Sequence, residues 1–261
     1  MPAQTERNML TEPDPGNPTT RFSNHADNYM KYRPSYPEAV VNFLEEIFNL
    51  QKHHRIADIG SGTGLFAELL LKKGYAVVCI EPNDEMRKTA DNKLQQYKGF
   101  SSRKYRAEKT GLKTGSVDLI TVAQAFDWME PIATKKEFTR VLKPGGHIVL
   151  AWNIRQTHTP FLKAYDELKE QFRTDALPRK INEEKIRSFF QPGAIQEQDF
   201  PNVRWLDFDS LKGQLLSASY IPFQGHASYD TMISSLVQLF VAHEENGFVK
   251  MEYSTKLFWN D

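Results

Sequence analysis

Between residues 37 and 153, short apolar runs alternate with segments whose apolar positions recur three and four apart, a pattern that predicts strands alternating with helices in an α/β domain. From Pro37 to Leu50, the residues Val40, Val41, Phe43, Leu44, Ile47 and Phe48 fall at helical spacing, with Pro37 tolerated at the start. Arg55–Ile59 is a buried strand, Leu65–Lys73 a helix closed by Gly74, and Tyr75–Glu81 a second strand. Strand, helix and strand make a right-handed βαβ unit. Asn83 or Asp84 caps a helix to about Tyr97, and a short third strand follows near Arg103–Tyr105. Ser116–Ala123 is a fourth buried strand and Thr134–Leu142 a helix. Pro144 stops that helix, and Gly145-Gly146 turn the chain into a fifth strand ending at Asn153, whose side chain is a candidate substrate contact.

Past Asn153 the alternation loses its regularity. Phe161–Phe172, Glu183–Phe190, Leu211–Ser219 and Tyr229–Glu244 have helical spacing, whereas Gln196–Phe208 and Phe248–Trp259 alternate as antiparallel strands do. Residues 1–20, with Pro2, Pro13, Pro15 and Pro18 among polar residues, predict a disordered or loosely docked arm.

Chemistry concentrates where the first strand ends. Ile56–Phe66 runs from apolar residues through Asp58 and the alternating Gly60, Gly62 and Gly64 into a helix. Such a turn accepts positive φ, lets a ligand approach the main chain, and presents unpaired N–H groups at a positive helix end. A dinucleotide fingerprint places its third glycine five positions after the first, but Leu65 stands there and the glycine falls one residue early. On its own the turn suits a nucleotide-like or carboxylate-bearing ligand, or no ligand. Glu81 ends the second strand about 20 residues later, at the edge where parallel sheets bind ligands, and its carboxylate can accept hydrogen bonds from both hydroxyls of a ribose. Each such bond is worth roughly 1.5–3 kcal/mol; the competing reading is a solvated strand-end acid.

Composition changes this picture little. The 261 residues are 40% hydrophobic with Lys+Arg and Asp+Glu equal at 33, so no net field favours nucleic acid or anionic membrane. The expected substrate is a small molecule and the expected form a monomer or homodimer. Cys79, within an apolar run, reads as a small buried hydrophobe. No metal-spaced His/Cys cluster is present in the sequence, so no metal is expected. The N-terminus lacks a basic start followed by an apolar core, which leads to an expected cytoplasmic location.

Several separated motifs share one resemblance. The pattern Asp58-x-Gly60-x-Gly62-x-Gly64 resembles motif I of the class I S-adenosylmethionine (SAM)-dependent methyltransferases. Ile80–Arg87 is similar to their second motif, Ala107-Glu108 with Ser116–Ile120 to the region after the third strand, and Arg140–Gly146 to the R-V-L-K-P-G-G turn. Upstream, Phe22, Ala26, Tyr29, Arg33, Pro34, Tyr36 and Pro37 match F-x-x-x-A-x-x-Y-x-x-x-R-P-x-Y-P, a segment of the type 11-like small-molecule branch that includes the trans-aconitate methyltransferase group. Gln124-Ala125-Phe126-Asp127-Trp128 departs from that branch's A-Q-A-F-H-W by carrying Asp127 in place of histidine.

The resemblance implies a Rossmann-like, seven-stranded, mostly parallel sheet with helices on both faces, spanning 21–261, with lid helices inserted within about 155–245. It implies SAM, leaving as S-adenosylhomocysteine, held by Asp58, Gly60, Ser61, Gly62, Gly64, Glu81, Pro82, Met86, Ala107, Glu108, Gln124 and Trp128. It further implies methyl transfer to a small carboxylate or hydroxyl acceptor contacted by Tyr29, Arg33 and Tyr220. His25, Asp127 and His243 are the candidate bases. The alternatives are a SAM-binding regulator without transfer and an NAD(P)-dependent oxidoreductase.

Overall fold

The computed structural model describes residues 31–175 and 182–260, so the 1–20 arm, His25 and Tyr29 lie outside the described residues. The strands are β1 (Arg55–Ile59), β2 (Ala76–Ile80), β3 (Phe100–Arg103), β4 (Val117–Ala123), β5 (Leu142–Arg155), β6 (Ile195–Leu206) and β7 (Val249–Asn260). The helices are α1 (Glu38–Ile47), α2 (Leu65–Lys72), α3 (Asp84–Leu94), α4 (Pro131–Val141), α5 (Pro160–Gln171), α6 (Glu183–Phe190), α7 (Phe208–Leu216) and α8 (Tyr229–His243).

All seven strands join one sheet in the order β3-β2-β1-β4-β5-β7-β6. The first five are mutually parallel, while β7 is antiparallel to both β5 and β6. This is the mostly parallel, Rossmann-like sheet the sequence implied. Strand order reverses beside β1, and a parallel sheet opens a crevice at the carboxyl ends of its strands there.

Alternate residues of each strand feed opposite faces. On one face Ile56, Val77, Leu119, Val149 and Ala151 meet Val40, Val41 and Leu44 of α1 and Phe66 and Leu70 of α2. On the other, Ala57, Ile59, Ile120, Val122 and Leu150 meet Phe138 and Val141 of α4 and Ile186, Phe189 and Phe190 of α6. Each Val, Leu, Ile or Phe side chain among these, fully buried, contributes roughly 1.5–3 kcal/mol. Cys79 is buried within the first of these cores, which pushes its thiol up and keeps it protonated. A third core forms where α5, α7 and α8 pack on Leu206, Val249, Met251 and Tyr253. No helix among the described residues is long and apolar enough to cross a membrane.

Local chemistry sets the boundaries. Gly74 (φ +88°) closes α2, its N–H donating to the Leu71 carbonyl while Tyr75 N–H reaches Leu70. Asn83 caps α3 by accepting from Met86 N–H at 3.0 Å. The third strand lies at Phe100–Arg103 rather than Arg103–Tyr105, because this polar edge strand is positioned by pairing with Val77–Ile80 and not by an apolar run of its own. α4 begins earlier than expected, at Pro131, where the Glu130 carboxylate accepts from Ile132 and Ala133 N–H. It ends at Val141, ahead of Pro144. Leu142 already pairs with Val117, and Pro144-Gly145-Gly146 form an irregularity before pairing resumes at Leu119–His147. β5 runs past Asn153 to Arg155.

Candidate cofactor site

The three glycines after β1 all adopt positive φ, for three different reasons. Gly60 (φ +67°) passes so close to the strand-end loop that an added Cβ would lie 2.6 Å from Ala125 Cβ. Gly62 (φ +54°) has open space where its Cβ would be. Gly64 (φ +81°) is the N-cap of α2, and its missing Cβ makes room for Leu94 Cδ1 of α3. The turn is fixed from below, where Gly60 and Ser61 N–H donate to the Ile80 carbonyl at 2.8 and 3.3 Å.

Glu81, at the end of β2, faces this turn and is 7% exposed. Its Oε2 accepts from Gly62 N–H at 2.9 Å and its Oε1 from Asn83 N–H at 2.8 Å. Burial pushes its carboxyl up, while those two amide hydrogens act in the opposite direction. Each oxygen keeps a lone pair for a hydroxyl, the arrangement a ribose requires.

A cleft opens above the turn. Its lining comprises Tyr36, Gly60–Thr63, Leu65, Phe66, Glu81, Pro82, Met86, Arg106–Glu108, Ala123–Ala125, Trp128 and Met129. Of the twelve expected cofactor residues, ten line this cleft: Gly60, Ser61, Gly62, Glu81, Pro82, Met86, Ala107, Glu108, Gln124 and Trp128. Glu108 Oε1 accepts from Glu130 N–H at 3.0 Å, which joins the cleft wall to the start of α4. Gln124 takes φ +59°, uncommon for a residue with a side chain, and its Nε2 donates to the Asn153 carbonyl at 3.2 Å.

Asp58 and Gly64 lie outside the lining. Asp58 is 0% exposed beneath the turn, where Thr121 Oγ1 donates to its Oδ1 at 2.8 Å. Burial, with the Glu81 carboxylate adding to it, pushes Asp58 up to about 7. A carboxyl raised in the folded state gives stability that is complete below its unfolded value near 3.9 and is lost as pH rises through about 7. The melting temperature is therefore expected to fall between pH 4 and 8 more steeply in the natural protein than in Asp58→Asn. Parallel curves in scanning calorimetry would contradict this.

Of the expected acceptor contacts, Arg33 and Tyr220 are not in the cleft lining. Arg33 Nη2 donates to the Ser217 carbonyl at 3.1 Å, and the Tyr220 ring lies 5.1 Å from Lys169 Nζ, both at the third core. Asn153, expected to face substrate, instead donates to the Pro34 and Ser35 carbonyls at 3.3 and 3.2 Å. Among the candidate bases, Asp127 accepts from Trp152 Nε1 at 3.3 Å and stands outside the lining, and His243 packs 5.9 Å from the Phe161 ring. No residue of α5, α6, α7 or α8, the helices within the range where a lid was expected, belongs to the lining. The sequence reading missed eight of the eighteen lining residues, Tyr36 and Arg106 among them. Tyr36 sits edge-on to Phe66 at 4.9 Å, and its signal was the R-P-x-Y-P match; Arg106 directly precedes the Ala107-Glu108 match.

Residues 57–150 match the family model described as "Methyltransferase domain". The chain is 32% identical over 147 residues to an uncharacterised methyltransferase of Mycobacterium tuberculosis, covering 56% of this chain and 58% of that relative. It thus spans little more than half the length of the mycobacterial relatives it matches. An uncharacterised methyltransferase-like protein of Schizosaccharomyces pombe is 24% identical over 91% of this chain and 93% of its own. A solved structure of a candidate type II methyltransferase from Anaeromyxobacter dehalogenans shares the fold, with TM-score 0.66 and 18% identity over 87% of this chain and 97% of that one.

Proposed function

We propose that the chain is a class I SAM-dependent methyltransferase that binds SAM in the cleft and passes its methyl group to a small carboxylate or hydroxyl acceptor, a reading supported by the methyltransferase-domain match over 57–150 and the methyltransferase relatives. The observation that carries this reading is Glu81, buried at the end of β2 and directed at the Gly62 N–H of an open glycine turn. SAM, when bound, supplies a methyl group already activated by its sulfonium charge. The residues of this chain then hold and align. Glu81 takes the ribose hydroxyls, the Gly60–Gly62 backbone accommodates the amino-acid part, and Pro82, Met86 and Trp128 wall the adenine side near Glu108. Asp58 and Gly64 act from beneath by setting the turn. Alignment of two reactants contributes about 7–11 kcal/mol, and a carboxylate acceptor needs no base.

The even charge balance supports an acceptor free in solution over nucleic acid. We propose a single methyltransferase domain over 21–261, acting as a cytoplasmic monomer or homodimer. A SAM-binding regulator without transfer is the second reading, favoured by one observation: Asp127, where the related pattern has histidine, is turned to Trp152. An NAD(P) oxidoreductase is disfavoured by Leu65 in the third glycine position.

Calorimetric titration with S-adenosylhomocysteine is expected to give a micromolar dissociation constant, with no heat from NAD. Labelled SAM is then expected to pass its methyl group to members of a panel of small carboxylic and hydroxy acids. Binding of NAD instead, or of neither compound, would sink the cofactor assignment; binding without transfer to any acceptor would favour the regulator.

A further inference from the structure

Above the cleft, the face of the sheet that carries the α1–α2 core does not stay apolar. Going up β5 and β7, Ala151 and Leu257 give way to the pair Asn153–Thr255, then to Arg155–Tyr253 opposite Asn202, then to Met251–Arg204; Tyr253 and Met251 already belong to the third core, which continues to Val249 and Leu206. Polar and charged side chains, Asn153, Thr255, Asn202, Arg155 and Arg204, thus lie along the border between two apolar cores on one face. The lower row is closed on itself: Thr255 and Asn202 both donate to Asn153 Oδ1, and Asn202 also donates to the Ser35 carbonyl at 2.7 Å.

The upper rows are cationic. Arg155 pairs with Asp166 and lies 5.4 Å from the centre of the Tyr165 ring. Arg204 donates to the Tyr32 carbonyl at 2.7 Å and to Gln214 Oε1 at 3.1 Å. Lys169, 7% exposed, stands 5.8 Å from the Tyr165 ring. Burial pushes the Tyr165 and Tyr253 phenols up, so both remain neutral hydrogen-bond donors. Arg155 Nε is buried with no hydrogen-bond partner among the described residues. Leaving a buried guanidinium N–H without an acceptor is costly, and the remedy chemistry offers is an anion.

We infer that Arg155, Arg204 and Tyr253 form a subsite for a carboxylate that anchors the methyl acceptor. The inference rests on the methyltransferase reading, because this border adjoins the cleft: Gln124 and Tyr36 line the cleft, while the Asn153 carbonyl binds Gln124 and the Ser35 carbonyl binds Asn202. Guanidinium groups lower the nucleophilicity of a carboxylate they bind. The anchored carboxylate is therefore not the accepting one, and the acceptor carries an anionic end in addition to its reacting oxygen.

The test is thermal denaturation of the full chain with succinate, its neutral diamide or inorganic phosphate, each with and without S-adenosylhomocysteine. Succinate is expected to raise the melting temperature and the diamide to leave it unchanged. Arg155→Gln and Arg204→Gln are each expected to weaken the apparent succinate affinity by about tenfold or more. Both are expected to keep their response to S-adenosylhomocysteine, which also shows that they fold; Arg204→Lys, which keeps the charge, is expected to lose less. An equal succinate response in the natural chain and both glutamine variants would overturn the subsite, as would no response in the natural chain. A stronger response to phosphate than to succinate would overturn the carboxylate assignment. Failure of the cofactor reading appears separately, as loss of the S-adenosylhomocysteine response in the natural chain.

Discussion

Glu81→Ala is expected to weaken S-adenosylhomocysteine binding by at least about a hundredfold, because two charge-assisted hydrogen bonds to ribose disappear, each worth roughly 1.5–3 kcal/mol. The loss has a second source. Without the carboxylate, the Gly62 and Asn83 N–H groups it now accepts from, at 2.9 and 2.8 Å, lose their partner, and the turn keeps only its Gly60 and Ser61 bonds to the Ile80 carbonyl as anchors to β2. Glu81→Gln keeps the shape and part of the accepting capacity, so an intermediate loss is expected. Calorimetry measures both variants, with circular dichroism confirming the fold. A folded Glu81→Ala chain that bound within threefold of the natural protein would remove the central support of the proposed function.

Gly60→Ala should be the most damaging single-methyl change in the cleft. At φ +67° an L-residue pays about 1–2 kcal/mol, and the new methyl would sit 2.6 Å from Ala125 Cβ, an atom with no rotamer to move through. Overpacking of that kind costs about 1–3 kcal/mol more. Together these predict a melting temperature lower by roughly 5–15 °C, with cofactor binding lost as Ala125 is displaced from the cleft wall. Gly62→Ala is the control: its φ is +54° but nothing lies within 4 Å of the added atom, so only the backbone penalty applies to stability. Equal melting temperatures for the two variants would show that the close approach at Ala125 does not govern the turn.

The fold was legible wherever local sequence and tertiary demand agree. Buried parallel strands must be apolar throughout, which made β1, β2 and β4 readable to within a residue or two. β3 was misplaced because Phe100-Ser101-Ser102-Arg103 is an edge strand whose position comes from its neighbour rather than from its own pattern. The candidate cofactor cleft was legible as far as its lining goes, since ten of the twelve residues expected from the motifs line one cleft. The proposed acceptor subsite was not legible. Arg155 and Arg204 sit in alternating strands where charged residues ordinarily face solvent, and only the pairing of β5, β6 and β7 brings them to one face beside Tyr253. Asp58 read as a ligand contact from its motif, yet motif position does not distinguish a group that touches a ligand from one that supports the turn beneath it.

The placement of β7 between β5 and β6 has a consequence for how the chain folds. β1 to β5 find all their parallel partners within residues 55–155, but the outer edge of β5 pairs with a strand roughly a hundred residues further on. Closing so long a loop is slow relative to local pairing, so the half-sheet is expected to form first with β5 as a bare edge. That edge is apolar at Val149, Leu150 and Ala151, the kind of strand that recruits another chain when left uncovered. The late strand β7 thus completes the third core and also caps the most aggregation-prone edge of the folding intermediate.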